Sequence, residues 1–217
     1  MPLDQKTILT AVKEAKEKSE KRKFTQSVEL VLKLQEIDMK SPEAKIQEVV
    51  ELPHVAQEKA NKVCVVASGE LALKARKAGA DLVLERGDLE RLAGKKRELR
   101  KIANDYDFFV AEAPLMPLVG KMLGPVLGPR GKMPTPVPPS ADIAALLQMY
   151  RKTIILKLRN QPILQCRIGT ESMTEEELAE NIQTVLRVLE GKLKKGIKNI
   201  RFAYIKTAMG APVKVKQ

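Results

Sequence analysis

The chain has 217 residues, with 39 Lys and Arg against 27 Asp and Glu, a net charge of +12 and a pI near 9.7. That balance points to a polyanionic partner. Nucleic acid is favoured over a membrane, because no apolar run approaches the roughly 20 residues that span a bilayer and the N-terminus lacks a signal-peptide pattern. Two distant cysteines, Cys64 and Cys166, each sit in an apolar run and read as buried thiols of a reducing cytoplasm, not as metal ligands or a staple. Only seven residues are aromatic and none is Trp, which argues against a broad base-stacking platform as the main mode of recognition.

Residues 4–21 predict an amphipathic helix, with Asp4 as its cap and Ile8, Val12 and Ala15 on one face. The cluster Lys21-Arg22-Lys23 leads into a strand on which Phe24, Val28, Leu30, Leu32 and Leu34 share one face, with Ser27 and Glu29 on the other. Phe24 therefore reads as core, though its position also allows a ligand contact. A turn is expected at 38–43 and a second strand at 46–52, closed by Pro53-His54. From Asn61 the rhythm changes. Val63 to Ala67 is a continuous apolar run of the buried, parallel-sheet kind. Ser68 should cap a helix ending at Gly79, followed by a strand at 82–84, one very basic helix at 89–103 and a strand at 108–111. This alternation predicts a three-layer α/β unit, completed by helices at 115–123 and 141–151.

Between those two helices lies Gly120 to Pro139, with four glycines, six prolines and only Lys121, Arg130 and Lys132 as charges. Neither a helix nor a central strand is expected to run through it. It reads either as an anion-contacting loop, with Gly128 and Gly131 allowing close backbone approach, or as a rigid connector. It is not a P-loop, since Lys132 is followed by Met133. After Thr153, strands at 154–158 and 163–168 pair around Asn160-Gln161-Pro162. A helix with a Thr174/Glu177 capping box then runs to about Lys195, and the last strand covers 199–205. The simplest topology joins 1–60 and 153–217 into one discontinuous α+β domain with 61–152 inserted. The ends of the insertion would lie close together and form a hinge.

Enzyme chemistry is thinly represented. The single histidine, His54, has no triad or metal partners at a suitable spacing and reads as a satisfied histidine. The insertion lacks G-x-G-x-x-G after its first strand. Basic stretches are more informative: Lys21 to Lys23, and residues 191–217, which carry eight Lys or Arg and no carboxylate. A third cluster, Lys95 to Arg97 with Lys101, is interrupted by Glu98 and reads as a solvated helix.

The run G-K-M-L-G-P-V-L-G-P-R-G-K-M-P at 120–134 closely resembles the signature of the large-subunit ribosomal protein L-one family, the protein of the mobile stalk beside the tRNA exit site. Lys23-Phe24-x-x-Ser27-Val28-Glu29 resembles its K-F-x-x-[ST]-V-E strand, and Lys206 to Pro212 its C-terminal T-M-G-P turn. L-P-H at 52–54 and L-x-N-Q-P at 158–162 suit archaeal or eukaryotic-like members. The resemblance covers the whole chain. It implies a split α+β domain carrying the main RNA site and an inserted Rossmann-like domain. It also implies binding to stalk ribosomal RNA, assistance in releasing exit-site tRNA, repression of the protein's own messenger RNA through a similar hairpin, no cofactor, and a monomer off the ribosome. Carried over by position, Lys23, Phe24, Ser27, Glu29, Thr207, Met209 and Gly210 form the principal RNA surface. Lys121, Gly128, Arg130, Gly131 and Lys132 form a secondary contact. Ala208 stands where the family usually has Thr, so a hydroxyl contact there is lost or shifted.

Lys23 can neutralise phosphate, and Ser27 and Glu29 can accept from ribose 2′-hydroxyls. The plain alternative for Glu29 is a surface pair with a neighbouring lysine. Two other function classes remain open: an α/β enzyme using the insertion for a nucleotide and the Gly/Pro loop for its phosphates, and a basic nucleic-acid-associated protein without specificity.

Overall fold

The computed structural model describes residues 4–37, 46–56, 60–92, 94–158 and 161–215; the turn expected at 38–43 and Asn160 lie outside them. The chain opens with helix α1 (Gln5–Glu17), strand β1 (Ser27–Leu34) and strand β2 (Gln47–Glu51). It continues with β3 (Val63–Val66), α2 (Gly69–Lys77), β4 (Leu82–Leu84), α3 (Arg86–Leu92), α4 (Lys96–Asp105) and β5 (Phe108–Glu112). Next come α5 (Met116–Met122), α6 (Gly124–Leu127), β6 (Thr135–Val137) and α7 (Ile143–Arg151). The last segment holds β7 (Thr153–Lys157), β8 (Ile163–Thr170), α8 (Glu175–Lys192), β9 (Ile200–Thr207) and β10 (Val213–Lys214). These elements form two compact units, Met1–Lys59 with Lys152–Gln217, and Ala60–Arg151.

In the first unit a four-stranded antiparallel sheet runs in the order β10-β9-β1-β8, and β2 pairs with β7 separately. Val28, Leu30, Leu32 and Leu34 of β1 are buried, while Ser27, Glu29 and Val31 are half-buried and Lys33 is exposed. The sheet therefore has a core face and an outer face, as the two-residue strand period requires. Phe24 departs from its expected core role: the strand starts only at Ser27, so parity does not reach it, and its ring is 51% exposed. Ile8, Ala11, Val12 and Ala15 of α1, and Leu178, Ile182, Val185 and Leu189 of α8, join the core face in one aliphatic core.

Asp4 stands at the N-cap position of α1, but its carboxylate makes no cap hydrogen bond. Instead its carbonyl accepts from Thr7 Oγ1 at 2.7 Å. The α1 helix stops at Glu17, short of the expected Lys21. The capping box of α8 is complete: Glu177 N–H donates to Thr174 Oγ1 at 3.3 Å and Thr174 N–H to Glu177 Oε2 at 2.8 Å. The Thr174 backbone bond holds the Glu177 carboxyl below its ordinary range. Asn181, fully buried on α8, accepts from His54 N–H at 3.0 Å and donates to the carbonyls of His54 and Ile168 at 2.9 and 2.8 Å. It thereby ties the loop after β2 to the core.

The second unit is a parallel sheet in the order β4-β3-β5-β6. Helices α2 and α7 pack on one face and α3 to α6 on the other. The expected single helix at 89–103 is two, α3 and α4, parted where Gly94 turns the chain at φ 81°. The Gly/Pro stretch is also more ordered than expected. The end of α5 and all of α6 lie within it, because Pro125 occupies the first turn of α6, where no amide donor is needed. Strand β6 carries Pro136 and lies at the sheet edge, where proline is tolerated. The side chain of Asn61 donates to Tyr150 O at 3.0 Å, joining the first and last segments of this unit.

Asn181→Ala leaves the His54 amide and two carbonyls without their partner, so a loss of about 2–4 kcal/mol is expected from the shift in the urea midpoint. Cys64 and Cys166 are free and buried, and burial pushes both thiols up to about 12. Both stay protonated at pH 8, so neither should react with a thiol reagent until the chain is unfolded; rapid native labelling would contradict their placement.

Candidate nucleic-acid interface

One end of the outer sheet face gathers most of the residues read as an RNA surface. Register places Glu29 opposite Arg167 of β8 on one side and Lys206 of β9 on the other. Lys206 Nζ lies 3.9 Å from Glu29 Oε2, with both side chains partly exposed. A pair this loose and this wet contributes little to stability, so the carboxylate keeps lone pairs for another donor. Lys23 and Phe24 lie just before β1 and are exposed; Met209, just after β9, is 65% exposed. Phe24 and Met209 are thus large apolar groups held at the surface beside charged ones.

A buried glutamine holds this arrangement. Gln26, with 0% exposure, binds three chain segments, two through its side-chain amide and one through its backbone. Its Nε2 donates to Ser19 Oγ and to Glu20 O, both at 2.9 Å, and its Oε1 accepts from Met209 N–H at 3.1 Å. Its backbone exchanges two further bonds of 3.0 Å with Glu171: Gln26 N–H to Glu171 Oε1, and Glu171 N–H to Gln26 O. Sequence reading passed over Gln26. It shares the buried parity of Val28 and Leu30, and a polar residue at a core-facing position just ahead of a strand was the available signal.

Thr207 is turned away from the surface, and Gly210 lies half-buried beside it. Thr207 is fully buried; its hydroxyl donates to Ser19 Oγ at 2.9 Å and accepts from Gly210 N–H at 3.0 Å. A Cβ on Gly210 would lie 2.3 Å from Thr207 Oγ1, so glycine is required for the turn to close on that hydroxyl. These two residues shape the turn that presents Met209. Ala208 donates its N–H to Ser27 O at 2.9 Å, continuing the ladder by one bond.

The basic stretches are partly spent within the protein. Lys192 pairs with Glu48 at 2.9 Å, Lys195 pairs with Glu36, and Arg22 pairs with Glu20 at 2.8 Å. In the second unit, Lys132 Nζ donates to Ala103 O at 3.2 Å and Tyr106 O at 2.6 Å, and Arg130 donates to Arg100 O at 3.2 Å. Lys132 therefore caps the C-terminal end of α4, where carbonyls lack helical partners, while Arg130 bonds a carbonyl within the helix. Gly131 makes the turn between them at φ 70°. The rigid-connector reading thus accounts for Arg130, Gly131 and Lys132, while Lys121 and Gly128 are exposed.

A nucleotide site in the insertion meets an obstacle. In doubly wound sheets the phosphate binds at the N-terminus of the helix after the first strand. Here the Glu112 carboxylate occupies that place, accepting from Ser68 N–H at 2.9 Å and Ser68 Oγ at 2.7 Å. An anion already sits where a phosphate would bind. His54 Nε2 lies 2.6 Å from Glu180 Oε2, a satisfied surface pair. Among the described residues, no group of three His, Cys, Asp or Glu is arranged to hold a metal, and no helix is long and apolar enough to cross a membrane.

Comparison with known proteins agrees with the motif resemblance. The model of the Ribosomal protein L1p/L10e family matches residues 14–211. The chain is 46% identical over 211 residues to a protein of Methanothermobacter thermautotrophicus named large ribosomal subunit protein uL1, covering 97% of this chain and 99% of that one. Proteins of the same name from Pyrococcus abyssi and Hyperthermus butylicus are 46% and 48% identical. They cover 100% and 95% of this chain, and 98% and 94% of their own length.

Gln26→Ala should leave the sheet intact and free the turn. The Met209 amide is expected to exchange with deuterium about tenfold faster, the equivalent of one lost hydrogen bond of ordinary net strength. An unchanged rate would remove Gln26 from its positioning role.

Proposed function

Because the chain belongs to the Ribosomal protein L1p/L10e family, we propose that it is an archaeal-like constituent of the large ribosomal subunit that grips stalk ribosomal RNA with the Glu29 end of its outer sheet face. It is a structural ribosomal protein of the cytoplasm, not an enzyme. The observation that carries the reading is the exposure of Lys23, Phe24 and Met209 around a half-buried Glu29, above a turn held by buried Gln26.

Each group has a chemical task. Lys23 neutralises a backbone phosphate. Glu29 and Ser27 accept from ribose 2′-hydroxyls, the donors that separate RNA from DNA; a carboxylate within a basic surface would only repel a phosphate. Phe24 and Met209 fill the shallow minor groove or an unstacked base. Because the turn is braced beforehand, little entropy is lost in ordering it on binding. In this proposal the second unit is an inserted domain joined to the RNA-binding domain by a hinge. The protein assists release of exit-site tRNA, and the same surface represses its own messenger RNA by binding a hairpin similar to the ribosomal one. Arg130 and Lys132, engaged at α4, contribute to RNA binding only by stiffening the second unit.

The deciding measurement is binding of the purified chain to a stalk-derived ribosomal RNA fragment and to a scrambled RNA in moderate salt. A gap of about 4 kcal/mol or more is expected; equal affinity would reduce the protein to a non-specific polycation. Glu29→Ala and Met209→Ala should each weaken the stalk fragment more than the scrambled RNA, by about 1–3 kcal/mol. Equal loss on both RNAs would remove the proposed recognition surface.

A further inference from the structure

The first unit contains three aromatic residues, Phe24, Phe202 and Tyr204, and none of them is in its core. That core is aliphatic, supplemented by Met173 and Cys166. Aromatic side chains usually dominate cores because of the area they bury, and the second unit follows that habit with Phe108, Phe109 and Tyr150. In the first unit all three rings are left partly or largely in solvent. Such a distribution points to a planar ligand.

Strand parity gives Phe202 and Tyr204 a common direction. Ala203 and Ile205 of β9 are buried in the core, so Phe202, Tyr204 and Lys206 project on the outer face with Glu29. The Phe202 and Tyr204 ring centroids are 6.3 Å apart and their planes are inclined by 58°, so each ring offers its own face. Register sets Tyr204 opposite Val31 of β1 and Lys214 of β10, and Phe202 opposite Lys33. Lys214 Nζ lies 4.1 Å from the Phe202 centroid, and the Arg201 guanidinium carbon 5.3 Å. The strand residues facing the ring pair thus supply cations and no carboxylate. From Lys206 to Phe202 the strand advances by about 13 Å, so this patch continues the Glu29 end along the sheet.

We propose that this face is a second RNA-binding element, on which the base of an unpaired nucleotide stacks on Tyr204 with the tilted Phe202 ring beside it, while Lys33 and Lys214 hold its phosphates. The inference rests on the RNA-binding reading above and extends it from the shape of a stem to the bases of a single strand. The occupant follows from the chemistry. A duplex keeps its base faces stacked internally, and an acidic peptide would match the cations without using the rings. Single-stranded RNA offers π-faces and negative charge together.

The test uses the full chain and two ligands: oligouridine, and an oligonucleotide of equal length whose sugars carry no bases. Both present the same phosphates. The wild-type chain should bind oligouridine about tenfold tighter, the scale of one stacked base, and Phe202→Leu and Tyr204→Leu should abolish the difference. Equal binding of the two ligands by the wild-type chain, or variants that keep the difference, would overturn the proposal. A Tyr204→Trp chain gives an independent readout, since the protein has no Trp of its own. Its fluorescence should be quenched by oligouridine and not by the abasic chain; no quenching would overturn stacking even if the Leu variants were unstable. Stalk-fragment specificity, measured on the same wild-type sample, separates the two ideas. Its presence without a uridine advantage removes only the platform, whereas a uridine advantage without it removes the ribosomal reading and leaves a single-strand binder.

Discussion

Three chain segments far apart in sequence end at one place in the first unit, and Gln26 is their common partner, through its side-chain amide for two of them and its backbone for the third. Ser19 and Glu20 follow α1, Glu171 follows β8, and Met209 follows β9. A primary amide suits this position because it both donates and accepts, and here it does both inside a site with no exposure. In a buried site each unmade bond costs more than each made bond contributes. The network is therefore stable only when complete, which makes the geometry of Met209 a consequence of the core. Thr207 adds a second bracket by joining Ser19 to Gly210.

The outer face is left to solvent because the inner face carries the core. An aliphatic core with two amphipathic helices covers one side of the sheet, and Asn181 fastens the His54 loop to it. The Phe202 and Tyr204 rings lie outside that core and are placed by strand parity. Among the described residues of the strands forming this face, Glu29 is a carboxylate with only a loose pair, to Lys206, and in the proposed reading it accepts from a ribose hydroxyl.

The second unit uses similar residue types for the opposite purpose. Arg130 and Lys132 look from sequence like phosphate ligands, and in the folded chain both also donate to backbone carbonyls of α4 or just beyond it. Glu112 likewise fills the helix terminus that a nucleotide would need. Glycine and proline in this stretch serve helix starts, a sharp turn and an edge strand, which is why so much of it is regular structure.

Much of the local structure was legible in the chain itself. The alternation from Val28 to Leu34, the capping box at Thr174 and the apolar run at Val63 encode their elements through side-chain period and local hydrogen bonding, which act over a few residues. The family motifs at 23–29, 120–134 and 206–212 were legible for the same reason, since each is a contiguous string. Tertiary structure alone decided that Phe24 lies outside the strand, that Thr207 faces inward, that Gln26 joins three segments, and that Phe202, Tyr204 and Lys214 meet on one surface. Each of these depends on contacts between residues distant in sequence. No window of the chain can reveal whether a cation faces a phosphate or a helix end, because that is settled by which carbonyls the folded chain leaves unpaired nearby.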